Sequence, residues 1–242
     1  MKNKFLFVIA LLCILIILSE TSLQAQSVKF KKRPVNVILF IGDGMGPAQV
    51  SAGIVRSDNT YVLKKFKYAG YCTTSSFDRY VTDSAAAGTA IACGVKTRNG
   101  MLGMGPDSVA VASIMEVAKE NGLSTGLVST SAITHATPAS FIAKNSGRGN
   151  YEDIALDFMN GKIDVFIGGG SDHFNKRKDG KDLTAQLRAN GYDVVFTHDE
   201  LKKSNSSRIA GLLDTVHMAK SIEGRFGMLA GMTTKAIETL SR

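Results

Sequence analysis

Residues 151–170 read "YEDIALDFMNGKIDVFIGGG". The first half reads as a helix and stops at Gly161. The second half, "IDVFIGGG" (163–170), reads as a strand buried on both faces, and its three glycines let the backbone turn tightly at its end. The same helix–glycine–strand order returns in "DLTAQLRANG" (182–191) and "YDVVFTH" (192–198). Upstream, "DSVAVASIMEVAKENG" (107–122) has helical spacing at Val111, Ile114, Met115 and Ala118, with Gly122 placed as its stop, and "STGLVST" (124–130) is the next strand. Earlier still, "VNVILFIG" (35–42) is a near-continuous apolar run, expected to be a strand, that enters the glycine-rich turn and helix start "DGMGPAQV". "MTTKAIETLSR" (232–242) reads as a final helix. Such alternation predicts an α/β fold, a three-layer α/β/α sandwich around a mostly parallel sheet. In such sheets ligands sit beyond the carboxyl ends of the strands. Asp43, His135 and Thr137, each just after a strand, are therefore expected to face one site.

The N-terminus differs from the rest. Two lysines in "MKNK" precede fourteen apolar residues, "FLFVIALLCILIIL", and then the polar "SETSLQAQ". This is the layout of a secretory signal peptide over residues 1–25, with 26–242 as the exported domain in a periplasmic or extracellular setting. The apolar run is short of the roughly 20 residues a membrane span needs, so no stable span is expected after cleavage. Cleavage lowers the formal charge from +8 to +7. The basic residues are scattered and carry no interleaved aromatic platform, which argues against nucleic-acid binding and is compatible with a mild pull on anionic substrates. Cys72 and Cys93 remain, at no metal-type spacing, and whether they pair is open.

Several motifs invite chemistry. "GDGMGP" (42–47) resembles a dinucleotide fingerprint, but Pro47 stands at the last glycine position and Asp43 would repel a pyrophosphate unless a cation stood between them. At the end of a strand, Asp43 is better read as a hard-cation ligand. "GLSTG" (122–126) matches a nucleophile elbow in letters only, because the order here is helix, glycine, strand. Asp172 and His173 in "GGGSDHF" are a tempting metal pair, set aside in favour of a strand-end turn, and His198 and His217 are read as surface residues. Ser84, in "RYVTDSAAAGTAIACGVKT" (79–97), follows an acid and opens an alanine run, as a helix cap would.

Three pieces, "FIGDGMGPAQ", "YVTDSAAAGTAIACGVKT" with "NGMLGM", and "THATPASF" followed by Arg148, are similar in order and spacing to the alkaline phosphatase family. The resemblance runs from about residue 34 onward, and "VTDSAAAGT" is its most specific part. It implies hydrolysis of phosphate monoesters through a phosphoserine, with Zn2+ and Mg2+ as cofactors. Ser84 would be both cap and nucleophile, its hydroxyl activated by zinc in place of a histidine base. Asp43 would bridge zinc and magnesium, Thr137 would give magnesium its hydroxyl, and Arg148 would clamp two phosphate oxygens. His135 stands where members carry Asp or His and would neighbour or ligate the magnesium. A homodimer is compatible with the resemblance. A phosphodiesterase or sulfatase would share the architecture, but a different local sequence around the nucleophile is expected there.

The family's later ligands, a "DHxxH"-like zinc segment among them, have no counterpart before Arg242. The expectation is a domain whose C-terminal part is missing, with the nucleophile half of the site and little or no turnover. Its alternative to an enzyme is a secreted protein that binds phosphate or metal without catalysis.

Overall fold

The computed structural model describes residues 36–57, 62–225 and 227–241. The chain divides into two units, Met1–Gly42 and Asp43–Arg242. The proposed signal peptide lies outside the described residues. In the first unit, residues 36–42 join no strand, and Val37, Leu39 and Phe40 are exposed. The strand expected over 35–42 is thus not formed in the described residues 36–42: an apolar run predicts burial, but a strand exists only where a neighbour completes its hydrogen-bond ladder.

The second unit starts with a helix α1 (Pro47–Arg56), which buries none of its residues. Helix α2 (Ser84–Cys93) is different. Its small side chains let it enter the core, with Ala85, Ala86, Thr89 and Ala92 buried. Helix α3 (Ile114–Glu120) is shorter than the 107–122 expected, because Ser113 and Glu116 form a capping box that starts it there. The segment before it turns instead, with Asp107 Oδ1 accepting from Val109 N–H.

Then come β1 (Gly126–Ala132), α4 (Ala136–Ala139), α5 (Tyr151–Asp157), β2 (Val165–Gly169), α6 (Asp172–Asn175), α7 (Leu183–Ala189), β3 (Asp193–Val195), α8 (His198–Lys203), β4 (Ile209–Leu212) and α9 (Met228–Leu240). β4 and α8 were not anticipated from the sequence, and α9 starts four residues before the expected Met232. The four strands form one sheet in the order β1-β2-β4-β3, and every pairing is parallel.

Alternation along the strands builds two cores. Phe166, Val194, Ala210 and Leu212 pack on one face with Ile133, Ile154, Phe158, Phe174 and Leu187 from the helical segments. Val165, Ile167, Val195 and Ile209 pack on the other with Leu201 of α8 and Met232 and Ala236 of α9. Helices therefore cover both faces, which gives the three layers expected. Cys72 and Cys93 are free thiols.

Candidate active site

The site is built on the N-terminus of α2. Asp83, not Ser84, caps this helix: its Oδ1 accepts from the Ala86 N–H at 2.9 Å. Ser84 is the first helical residue, so its hydroxyl is not spent on the cap. It donates instead to Asp43 Oδ1 at 3.1 Å. The other Asp43 oxygen, Oδ2, accepts from Thr137 Oγ1 at 2.6 Å. One carboxylate thus joins two hydroxyls that lie 41 and 94 residues from it along the chain.

Thr137 reaches this point because α2 and α4 pack closely. A Cβ on Gly88 of α2 would stand 2.6 Å from Ser140 Oγ, so glycine is what permits the approach. Ser140 Oγ in turn donates to Ala136 O at 2.7 Å, fixing the short α4 turn that carries Thr137.

Arg148 arrives from the loop before α5. Its Nη1 donates to Asp83 Oδ2 at 3.0 Å, and its backbone N–H donates to Gly100 O at 2.8 Å. Gly100 N–H also donates to Asp83 Oδ2, at 3.1 Å. Burial raises the Asp83 carboxyl, but the bonds from Ala86, Arg148 and Gly100 outweigh it and hold it below the usual carboxylate range. Asp83 therefore stays charged and ties the arginine to the helix end beside Ser84.

His135 stands half-buried next to Arg148, its Nε2 3.4 Å from Nη2. A guanidinium only donates, so Nε2 accepts. Burial first, then the charges of Arg148 and His217, push this imidazole below its ordinary pKa, with Asp43 pulling the other way. His217 contacts it edge-on, at 5.4 Å between ring centroids.

The structure thus brings together all five residues singled out from the sequence: Asp43, Ser84 and Thr137 through one carboxylate, Arg148 beside Asp83, and His135 against Arg148. Sequence reasoning overlooked two neighbours. Asp83 is signalled by the acid ahead of an alanine run, a pattern that suits Ser84 as the cap equally well. His217, read as a lone surface histidine, has no local signal, because the link between its loop and the end of β1 is tertiary. Asp172 and His173 stay outside this group: Asp172 pairs with Lys176 at 3.1 Å, and His173 stacks on Tyr151 and bonds Thr134 Oγ1 at 2.7 Å.

Asp43 Oδ2 and Thr137 Oγ1 offer two oxygen atoms of the hard type magnesium prefers, and such a donor pair fits Mg2+, which keeps several waters. For zinc, Asp43 and Ser84 supply two oxygens, short of the three ligands a catalytic zinc keeps. Among the described residues no group of three or more His, Cys, Asp or Glu side chains is placed to hold a metal.

Comparison with known proteins places this chain in a family. The family model for alkaline phosphatase matches residues 34–242. Alkaline phosphatase 4 of Bacillus subtilis (strain 168) is 38% identical over 242 residues, covering 93% of this chain and 52% of that protein. The solved alkaline phosphatase from the Antarctic bacterium TAB5 superposes with a TM-score of 0.79 at 39% identity, over 83% of this chain and 59% of that one. A variant of the TAB5 enzyme with magnesium bound in its M3 site matches with a TM-score of 0.79 at 40% identity, over 83% of this chain and 58% of that one. The chain spans about half the length of the curated relatives it matches. With the matched model reaching from just before Asp43 to the last residue, the chain belongs to the alkaline phosphatase family.

Proposed function

We propose that this chain carries the phosphoryl-accepting side of a phosphomonoester hydrolase. The observation that carries the reading is the Asp43 carboxylate holding Ser84 Oγ and Thr137 Oγ1 at 3.1 and 2.6 Å, with Arg148 fixed at the same helix end. A phosphate seated there meets the N-terminus of α2, where backbone N–H groups favour an anion. Arg148 clamps two phosphate oxygens with its planar fork. Ser84 Oγ attacks phosphorus, its bond to phosphorus forming as the bond to the leaving alcohol breaks. Asp43 Oδ1, already bonded to the hydroxyl, is an acceptor for the serine proton. The departing alkoxide takes a proton from water, and the hydroxide left behind takes the serine proton from Asp43, restoring its carboxylate. A second water then cleaves the phosphoserine, releasing phosphate and restoring the Ser84 hydroxyl.

Asp43 and Thr137 would hold the magnesium ion, and His135 borders that position with its Nε2 turned to Arg148. Bound there, the ion supplies positive charge against the negative charge that builds on the phosphoryl oxygens. A solved variant of a family member with magnesium bound supports magnesium as a cofactor. For zinc the described residues fall short of the ligand number. Substrates are phosphate monoesters, as the family implies, and a homodimer is compatible with it.

The basic and then apolar N-terminus supports export to a periplasmic or extracellular location. Among the described residues no helix is long and apolar enough to cross a membrane.

The test is hydrolysis of a chromogenic phosphate monoester by the full chain with zinc and magnesium at alkaline pH, beside Ser84→Ala. Hydrolysis that disappears in the variant is the expected result. Equal rates in the two proteins would refute the reading.

A further inference from the structure

His217 is exposed, yet the segment that carries it is stitched to the sheet. Leu213 N–H donates to Gly168 O at 2.8 Å, Gly170 N–H to Asp214 O at 2.9 Å, and Met218 N–H to Thr130 O at 3.2 Å. A Cβ on Gly169 would lie 2.3 Å from Val216 O, so the loop runs against bare backbone at the end of β2. The ring itself is anchored: Ala132 N–H donates to His217 Nδ1 at 3.0 Å. Nδ1 then carries no proton, and in the neutral ring the proton sits on Nε2. His135 has the opposite assignment, because its Nε2 accepts from Arg148 and its proton belongs on Nδ1. The two rings meet edge to face at an interplanar angle of 82°.

We propose that His217 is a positioning residue for this site: anchored through Nδ1 to the end of β1, its ring abuts His135 and fixes the orientation in which His135 Nε2 accepts from Arg148. The link to phosphate rests on the clamping role given to Arg148 above; the link between the two histidines does not. The role differs from a merely structural one because His217 is exposed and its ring meets His135 edge to face, so its loss is read at His135 and Arg148.

Long-range 1H–15N spectra of the histidine rings in the full chain test it, on the parent, His217→Ala and His217→Asn. Asparagine keeps an acceptor for the Ala132 N–H but removes the ring, so it isolates the edge contact should the alanine variant fail to fold. In the parent, His217 should show the Nε2-protonated and His135 the Nδ1-protonated tautomer. In both variants the two His135 ring nitrogens should move toward a common, averaged shift. Inorganic phosphate, titrated by 31P NMR, should bind about tenfold more weakly to His217→Asn than to the parent, as expected for a misplaced clamp. The same substitution added to Arg148→Ala should cost nothing further. A His135 that keeps one tautomer in His217→Asn would overturn the proposal, as would an undiminished tenfold loss on the Arg148→Ala background. A parent that binds no phosphate would remove the role of Arg148, while the tautomer spectra would still decide that of His217.

Discussion

Two carboxylates in this molecule are held in opposite ways. Glu116, whose side chain is 7% exposed, accepts from Lys144 at 2.6 Å, from Lys162 at 2.7 Å and from the Ser113 N–H at 2.8 Å. Its charge is answered by two cations and a backbone donor. Asp43 is exposed and receives only two neutral hydroxyls, and no ion pair among the described residues includes it. Burial lifts the Glu116 carboxyl, and the two lysines overcome this and bring it down to about 2. The difference separates structure from chemistry. A carboxylate whose charge is already matched holds a fold together; one that gathers hydroxyls without matching its charge is left with affinity for a cation and for what that cation binds.

The contrast breaks most visibly at Ser84. Ser84→Ala should take monoester hydrolysis down to the background of the assay, with the thermal midpoint nearly unchanged. An equal loss from Glu116→Gln at unchanged folding would erase the distinction between the two clusters. Next in size, Arg148→Ala should weaken inorganic phosphate about 100-fold by calorimetry, since charged hydrogen bonds to the anion are lost.

Glu116→Gln should cost about 2 kcal/mol of unfolding free energy, read by urea titration, and leave phosphate affinity within twofold. Its sign with pH comes from a folded value below the unfolded one of 4.5. The stabilisation is fully present above pH 4.5 and is lost as pH falls from there toward about 2. The glutamine variant should lack that part of the acid slope. Smallest is Ser113→Ala, which opens the capping box of α3 and should cost about 1 kcal/mol.

Much of this was legible in the sequence, for physical reasons. β2 is apolar on both faces and is bounded by glycines, so a period-free apolar run identified it. Residues 35–42 carry the same signal, yet the described residues 36–42 form no strand, because apolarity reports where a residue prefers to be and not whether a ladder partner is present. β4 escaped because "RIAGLL" is short and does not alternate, even though the "SNSS" before it marks a loop. α3 was drawn too long because its apolar spacing continues upstream, while Ser113 and Glu116 set its start. At the site, Asp43, Ser84, Thr137, His135 and Arg148 were all legible through the order and spacing of motifs similar to the alkaline phosphatase family. The contact of His217 with His135 was not, because it depends on how the loop after β4 crosses the end of β1.

That Ser84 receives the phosphoryl group can be read by mass. The full chain, mixed with an aryl phosphate, zinc and magnesium and quenched during turnover, should yield a "TDSAAAGTA" peptide (82–90) carrying one phosphate on Ser84. That peptide should be unmodified in Ser84→Ala. Release of the aryl alcohol with no phosphate on this peptide, or with phosphate on another serine, would contradict the assignment.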